Sequence, residues 1–206
     1  MNWVMPIVLA SRSPRRLQLL QAAGWTVRLE PSNLDDGRLQ MGSVEPEAWV
    51  EALAWMKARG AAYSMQSRGE PETPCTILGA DTVCVYGREV LGQPADAEAA
   101  KSMLAQHCNA SHEVMTGTCL IAWPSSDRHL FMDQATVTWG DVDEASIDQY
   151  IESGQWRGKA GGYNLQERID AGWPLSCDGD PATVMGLPMR RLQELFGDPG
   201  SGTVSA

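Results

Sequence analysis

Positive charge is scarce in this chain. Only three lysines, Lys57, Lys101 and Lys159, occur among 206 residues, and the formal net charge is −10. Such a composition excludes general nucleic-acid binding and attachment to an anionic membrane, which need broad basic patches. An anionic ligand must therefore be gripped by a local cluster. Neither a G-x-x-x-x-G-K-[ST] loop nor a G-x-G-x-x-G turn is present, which removes the two commonest glycine-rich phosphate signatures. The five cysteines, Cys75, Cys84, Cys108, Cys119 and Cys177, form no C-x-x-C pair, and their number is odd. That argues against a disulfide framework or a zinc site and for free thiols in a reducing compartment. His107 and His112 stand five residues apart and His129 alone, so no pair has helical metal-ligand spacing, and no Ser-His-Asp set suggests itself. Apolar runs are strand-sized, so no membrane span is expected, and no basic start followed by an apolar run marks a leader. The expected location is the cytoplasm.

Against that background, Leu9-Ala-Ser-Arg-Ser-Pro-Arg-Arg16 places three arginines within five residues. Ile7, Val8 and Leu9 end an apolar strand there. Ser13 is a good N-cap and Pro14 a good first helical residue, since its missing N–H would be unpaired anyway. Leu17, Leu20 and Ala23 mark a buried stripe, and Gly24 ends the helix. The first turn of a helix attracts anions and repels cations. Two readings stand: arginines solvated on a surface helix, or arginines gathered around a polyphosphate, whose oxygens match guanidinium forks.

Strands are expected at Val4–Ala10, Trp25–Glu30, Thr76–Tyr86, Glu89–Leu91, His112–Trp123 and Leu130–Trp139, the last two joined through Pro124-Ser-Ser-Asp127. A helix is expected from about Glu45 to Gln66 with Trp49, Leu53 and Met56 on one face. Asp96 and Asp143 cap two more helices, containing Met103 and Leu104, and Ile147 and Ile151. Leu187–Phe196 reads as the last helix. Helices alternate with strands, but hairpins intervene, so the fold class is α/β with a mixed twisted sheet flanked by helices. With no repeat and no linker, the chain reads as one domain, 1–197, followed by a flexible Gly/Ser-rich tail, 198–206. The tryptophans sit mostly on helix or strand faces, which favours core packing.

Several residues could carry chemistry. Asp81 ends an apolar strand, where a carboxylate can bind a divalent cation, orient a water, or simply bond local backbone. Asp35 and Asp36 occupy a polar, turn-rich segment. A second carboxylate from Asp36 would complete a magnesium site with Asp81, and a solvated turn is the alternative. Lys57 and Lys159 could neutralise phosphate or remain solvated. Gly158–Gly162 is either a flexible loop or a place of close backbone approach to a ligand.

The octapeptide also resembles the opening of the Maf family of nucleotide pyrophosphatases, and further blocks follow in the same order. These are Trp55-Met-Lys57-Ala-Arg59, Gly79-Ala-Asp-Thr82, Gly92-Gln-Pro94, His112-Glu-Val-Met-Thr-Gly117, Lys159-Ala-Gly-Gly-Tyr-Asn-Leu-Gln166 and Val184-Met-Gly-Leu-Pro188. The resemblance implies two lobes around a cleft, a fold related to the inosine-triphosphate pyrophosphatases, and a homodimer. It implies hydrolysis of a nucleoside triphosphate to the monophosphate and pyrophosphate. Asp81 would then be the catalytic base and, with Asp36, a ligand of Mg²⁺ or Mn²⁺. Ser11, Arg15, Arg16, Lys57 and Lys159 would bind phosphates. Arg15, Thr82 and Gln166 match the dTTP/UTP branch, and a glutamine offers the donor and acceptor that a uracil or thymine edge requires. Three features depart. Gln93 stands for the family's lysine and brings no charge, Asn164-Leu165 stands for Gly-Ile, and Asp180-Pro-Ala-Thr183 is closer to the 7-methyl-GTP branch. The alternatives are accordingly a 7-methyl-GTP pyrophosphatase and a non-enzymatic nucleotide-binding regulator of cell division.

Overall fold

The computed structural model of the protein describes residues 3–34, 39 and 41–197. The chain runs β1 (Ile7–Leu9), α1 (Pro14–Ala22), β2 (Val27–Leu29), α2 (Pro46–Ser67), β3 (Cys75–Tyr86), β4 (Glu89–Leu91), α3 (Ala97–His107), β5 (Ser111–Trp123) and β6 (Arg128–Trp139). It continues with α4 (Glu144–Glu152), a 3-10 turn (Ala160–Gly162), α5 (Leu165–Asp170), β7 (Leu175–Asp178), α6 (Pro181–Met185) and α7 (Met189–Phe196). The sheet has seven strands in the order β2-β1-β3-β5-β6-β7, with β4 paired to β3. β1 runs parallel to both β2 and β3, whereas β3–β4 and β6–β7 are antiparallel, so the sheet is mixed, as expected.

The α1 boundaries follow from local chemistry. Ser13 is extended and its hydroxyl accepts from the Arg16 N–H, and Pro14 opens the helix. Asp96 and Asp143 cap α3 and α4 by the same device. The last helix begins at Met189, two residues after the expected Leu187, because a residue preceding proline is pushed out of the helical region. The short elements β7, α5 and α6 had no legible period. Among the described residues, no helix is long and apolar enough to cross a membrane.

The chain divides into two compact units. The first comprises Met1–Asp81, Thr116–Met132 and Gly186–Ala206. Its core gathers Val8, Ala10, Ile77, Cys119 and Ile121 against Ala54, Ala58, Ala61, Ala62 and Met65 of α2. The buried face of α2 thus differs from the expected one. Leu53 is buried, but Trp49 and Met56 are only half-buried, and Val50 and the alanines take the inner positions. The reason lies in two glycines. A Cβ on Gly79 would lie 2.3 Å from the Ala54 carbonyl oxygen, and one on Gly117 would lie 2.3 Å from that of Val50. α2 is therefore seated backbone against backbone, and only small side chains fit beneath it.

The second unit comprises Thr82–Met115 and Asp133–Met185. Its core is aromatic: Trp139, Tyr150, Trp156 and Tyr163 pack with Leu104, Val114, Val137 and Ile147.

Candidate functional site

Within the first unit, the close approach of α2 to β3 sets the site. Asp81 lies two residues beyond Gly79, on the same face of β3, and Lys57 precedes Ala58, whose backbone meets Gly79. Lys57 Nζ donates to Asp81 Oδ1 at 2.5 Å. The two side chains are only 14% and 12% exposed, so this is a desolvated pair rather than a surface salt bridge.

The arginine-rich loop lies in the same unit, and its arginines are not equivalent. Arg12 is exposed, Arg15 half-buried and Arg16 buried. Arg16 Nε donates to the Gly186 carbonyl at 2.9 Å, and its Nη1 donates to Ser11 Oγ at 3.2 Å. The buried Ser11 hydroxyl also accepts from the Ser13 N–H at 3.1 Å. Arg16 therefore ties the octapeptide to Gly186, although 170 residues separate the partners.

Within the second unit, the Lys159–Gln166 block is held by several hydrogen bonds. The Gly161 N–H donates to the Gly92 carbonyl at 2.9 Å, and Tyr150 Oη donates to the Gly162 carbonyl at 3.1 Å. Asn164 Oδ1 accepts from the Glu167 N–H at 3.0 Å and caps α5. Lys159 is 6% exposed, and its ammonium forms an ion pair with Glu167. Asn164, the departure from the family's glycine, is thus a helix cap. Glu167 was missed in the sequence, yet Asn-x-x-Glu is a capping-box pattern that could have flagged it. Gln166 is exposed, and its Nε2 donates to Asp170 Oδ1 at 2.8 Å along α5. Thr82, the first residue of this unit, is half-buried. Gln93 is exposed, and its turn meets the block through the Gly92 carbonyl. The Asp180–Thr183 segment has a local explanation: Asp180 Oδ1 accepts from the Ala182 N–H at 3.0 Å, and Thr183 Oγ1 donates to Asp133 Oδ2 at 2.6 Å.

The histidines, which promised little as a sequence, form the buried polar heart of the second unit. His107 and His112 lie 4.3 Å apart between ring centroids, with Tyr86, Trp139 and Tyr163 around them. Burial lowers His107 to about 4 against the pull of its bond to the Gly161 carbonyl. Burial, and then the neighbouring His107, lowers His112 to about 3. Both imidazoles are neutral near pH 7. Burial likewise pushes the Cys84 thiol up to about 12, so it is not a reactive thiolate.

Among the described residues, no group of three or more His, Cys, Asp or Glu side chains is placed to hold a metal ion. Asp36, expected as the second metal ligand, lies outside the described residues. A hard cation of the magnesium kind takes one or two carboxylates and fills its shell with water and phosphate, so it does not require a cluster of three.

The family model for Maf-like proteins matches residues 6–198. A dTTP/UTP pyrophosphatase of Pelotomaculum thermopropionicum is 35% identical over 190 residues, which is 92% of this chain and 94% of that protein. One from Rhizobium meliloti is 37% identical over 192 residues, 92% and 90% of the two chains. One from Symbiobacterium thermophilum is 36% identical over 197 residues, 94% and 95%. With its arginine loop, its part-buried Lys57–Asp81 pair and its glycine-rich block all within the matched span, this chain belongs to the Maf family.

Proposed function

We propose that this chain is a nucleoside triphosphate pyrophosphatase that hydrolyses dTTP and UTP to the monophosphate and pyrophosphate. The observation that carries the mechanism is the Lys57–Asp81 pair, built by the glycine-mediated seating of α2 on β3. In it, a water-activating carboxylate stands beside a phosphate-neutralising ammonium. Asp81 accepts a proton from the water that attacks the α-phosphorus. Lys57, Arg15 and Lys159 bind the phosphates, and Ser11 donates a hydrogen bond. Arg16 serves the same site from its fixed position against Ser11 and Gly186. Cationic clamping dominates this chemistry, because charge accumulates on the phosphate oxygens. To reach phosphate, Lys159 exchanges its contact with Glu167 for the substrate.

Asp81 and Asp36 would hold a divalent cation, Mg²⁺ or Mn²⁺, which would supply positive charge against the triphosphate and help activate water. Thr82 and Gln166 face the choice of base, with the Gln166 amide giving up Asp170 to pair a uracil or thymine edge. The similarity to relatives named dTTP/UTP pyrophosphatases supports this choice.

A panel of triphosphates scored for pyrophosphate release, with and without Mg²⁺ and beside the Asp81→Asn protein, tests the proposal. dTTP and UTP are expected to be the best substrates, and Asp81→Asn to be inactive. A preference for 7-methyl-GTP would overturn the base choice alone. Nucleotide binding with no pyrophosphate release would make the chain a binding protein instead.

A further inference from the structure

The hydrogen bonds around the buried histidines have a determined direction. Gly161 offers only a carbonyl oxygen, so His107 Nε2 must donate to it, at 2.9 Å. In a neutral ring Nδ1 is then the acceptor, and Tyr86 Oη, at 2.6 Å, must be its donor. That commits the single phenolic hydrogen of Tyr86. The Gln106 carbonyl, the other acceptor near this hydroxyl, is 3.4 Å away and competes poorly. Tyr86 Oη consequently accepts from His112 Nδ1 at 3.3 Å. His112 Nε2 is left as an acceptor and takes the hydroxyl hydrogen of Tyr163 at 2.8 Å. The sequence of donors is Tyr163, His112, Tyr86, His107, and the final acceptor is Gly161. It starts and finishes on the same glycine-rich segment, directly after Lys159.

We propose that this circuit positions Lys159: His107, as the Nε2–H tautomer, and His112, as the Nδ1–H tautomer, fix Gly161 and Tyr163 and so hold the lysine for the triphosphate. The inference rests on the pyrophosphatase reading and assigns that site its supporting residues. The packing agrees. Gly161 has φ +66°, and a Cβ there would lie 2.5 Å from Cys84 Sγ and 3.3 Å from His107 Nε2, so the segment has no slack against the rings. Tyr163 and His107 are 5% and 0% exposed, so water cannot replace a lost bond cheaply. Outside the circuit, the Gly161 N–H also donates to the Gly92 carbonyl of the Gly-Gln-Pro turn.

The wild-type triphosphate assay decides the pyrophosphatase reading, and the following variants decide the circuit, so the two failures are distinguishable. Tyr163→Phe removes only the first donor, and His107→Leu removes the last. Each should lower kcat/KM for the best triphosphate by about five- to tenfold, the size of one lost buried hydrogen bond. His107→Gln, which can still donate to Gly161, should restore most of that loss. The decisive comparison is made in a Lys159→Gln background, where Tyr163→Phe should cost nothing further if it acts through the lysine. Thermal unfolding of each variant confirms that folded protein is compared. In the wild-type protein, ¹⁵N shifts should show His107 protonated at Nε2 and His112 at Nδ1. An equal loss from Tyr163→Phe with and without Lys159, or His107 and His112 in the same tautomer, would overturn the proposal.

Discussion

The two units solve the same problem, holding a lysine in place, by opposite means. In the first, side chains are removed where elements meet. Gly79 and Gly117 let α2 lie against the sheet, four alanines fill the seam, and Lys57 is delivered to Asp81 by backbone placement. In the second, side chains are added. Large rings fill the core, and their polar atoms bind the Lys159 segment through named hydrogen bonds. The first arrangement depends on the absence of atoms, so it should fail abruptly when a methyl group is added. The second is a chain of hydrogen bonds, each worth about 1 kcal/mol, and should fail by degrees.

The largest effect is expected from Gly117→Ala, whose methyl would meet the Val50 carbonyl at 2.3 Å, a backbone atom of α2. Overpacking of this kind costs about 1–3 kcal/mol and sometimes more, and denaturant titration should show the first unit losing stability. An unchanged midpoint would remove the contrast between the units. Next comes Asp81→Asn, which keeps the shape but lacks the base. It should lower the turnover of the best triphosphate by about a hundredfold or more, measured as pyrophosphate release.

A third test turns on the histidines. Their folded pKa values, about 4 and about 3, lie below the unfolded value of 6.5. The unfolded chain therefore takes up protons first. This contribution to stability is complete above about pH 6.5 and is lost as pH falls toward 4 and then 3. The slope is about 1.4 kcal/mol per pH unit for each histidine that is charged only when unfolded. Chemical unfolding at pH 7 and pH 5 should show a smaller drop for His112→Gln than for the parent chain. The smallest expected effect is that of Asn164→Ala, the α5 cap, at about 1 kcal/mol. Its sharper readout is activity, because Glu167 and Lys159 are anchored through the turn that Asn164 closes.

Much of this was legible beforehand where a local rule governed. Ser13-Pro14 predicts the start of α1, and Asp96 and Asp143 predict two more caps, because capping needs only neighbouring residues. The long apolar strands were visible through their composition. The buried face of α2 is not legible in the sequence because Trp49 and Met56 look more hydrophobic than alanine. The available depth beneath the helix, set by glycines on strands distant in sequence, outweighed hydrophobicity. Arg16 is a phosphate-binding candidate by its motif, but its attachment to Gly186 joins residues 170 positions apart and leaves no local mark. His107 and His112 looked unrelated because the pair forms only when the end of α3 meets the start of β5.

The order of residues alone was enough to establish the acidity, the helix caps, the alternating strands and the family blocks, since these depend on composition, on neighbours or on motif. Folding in three dimensions settled which lysine faces which carboxylate, which arginine is buried, and which way each proton in the histidine circuit points. Those outcomes rest on distances between residues far apart in the chain, and a hydrogen bond or a steric limit acts only where its atoms meet.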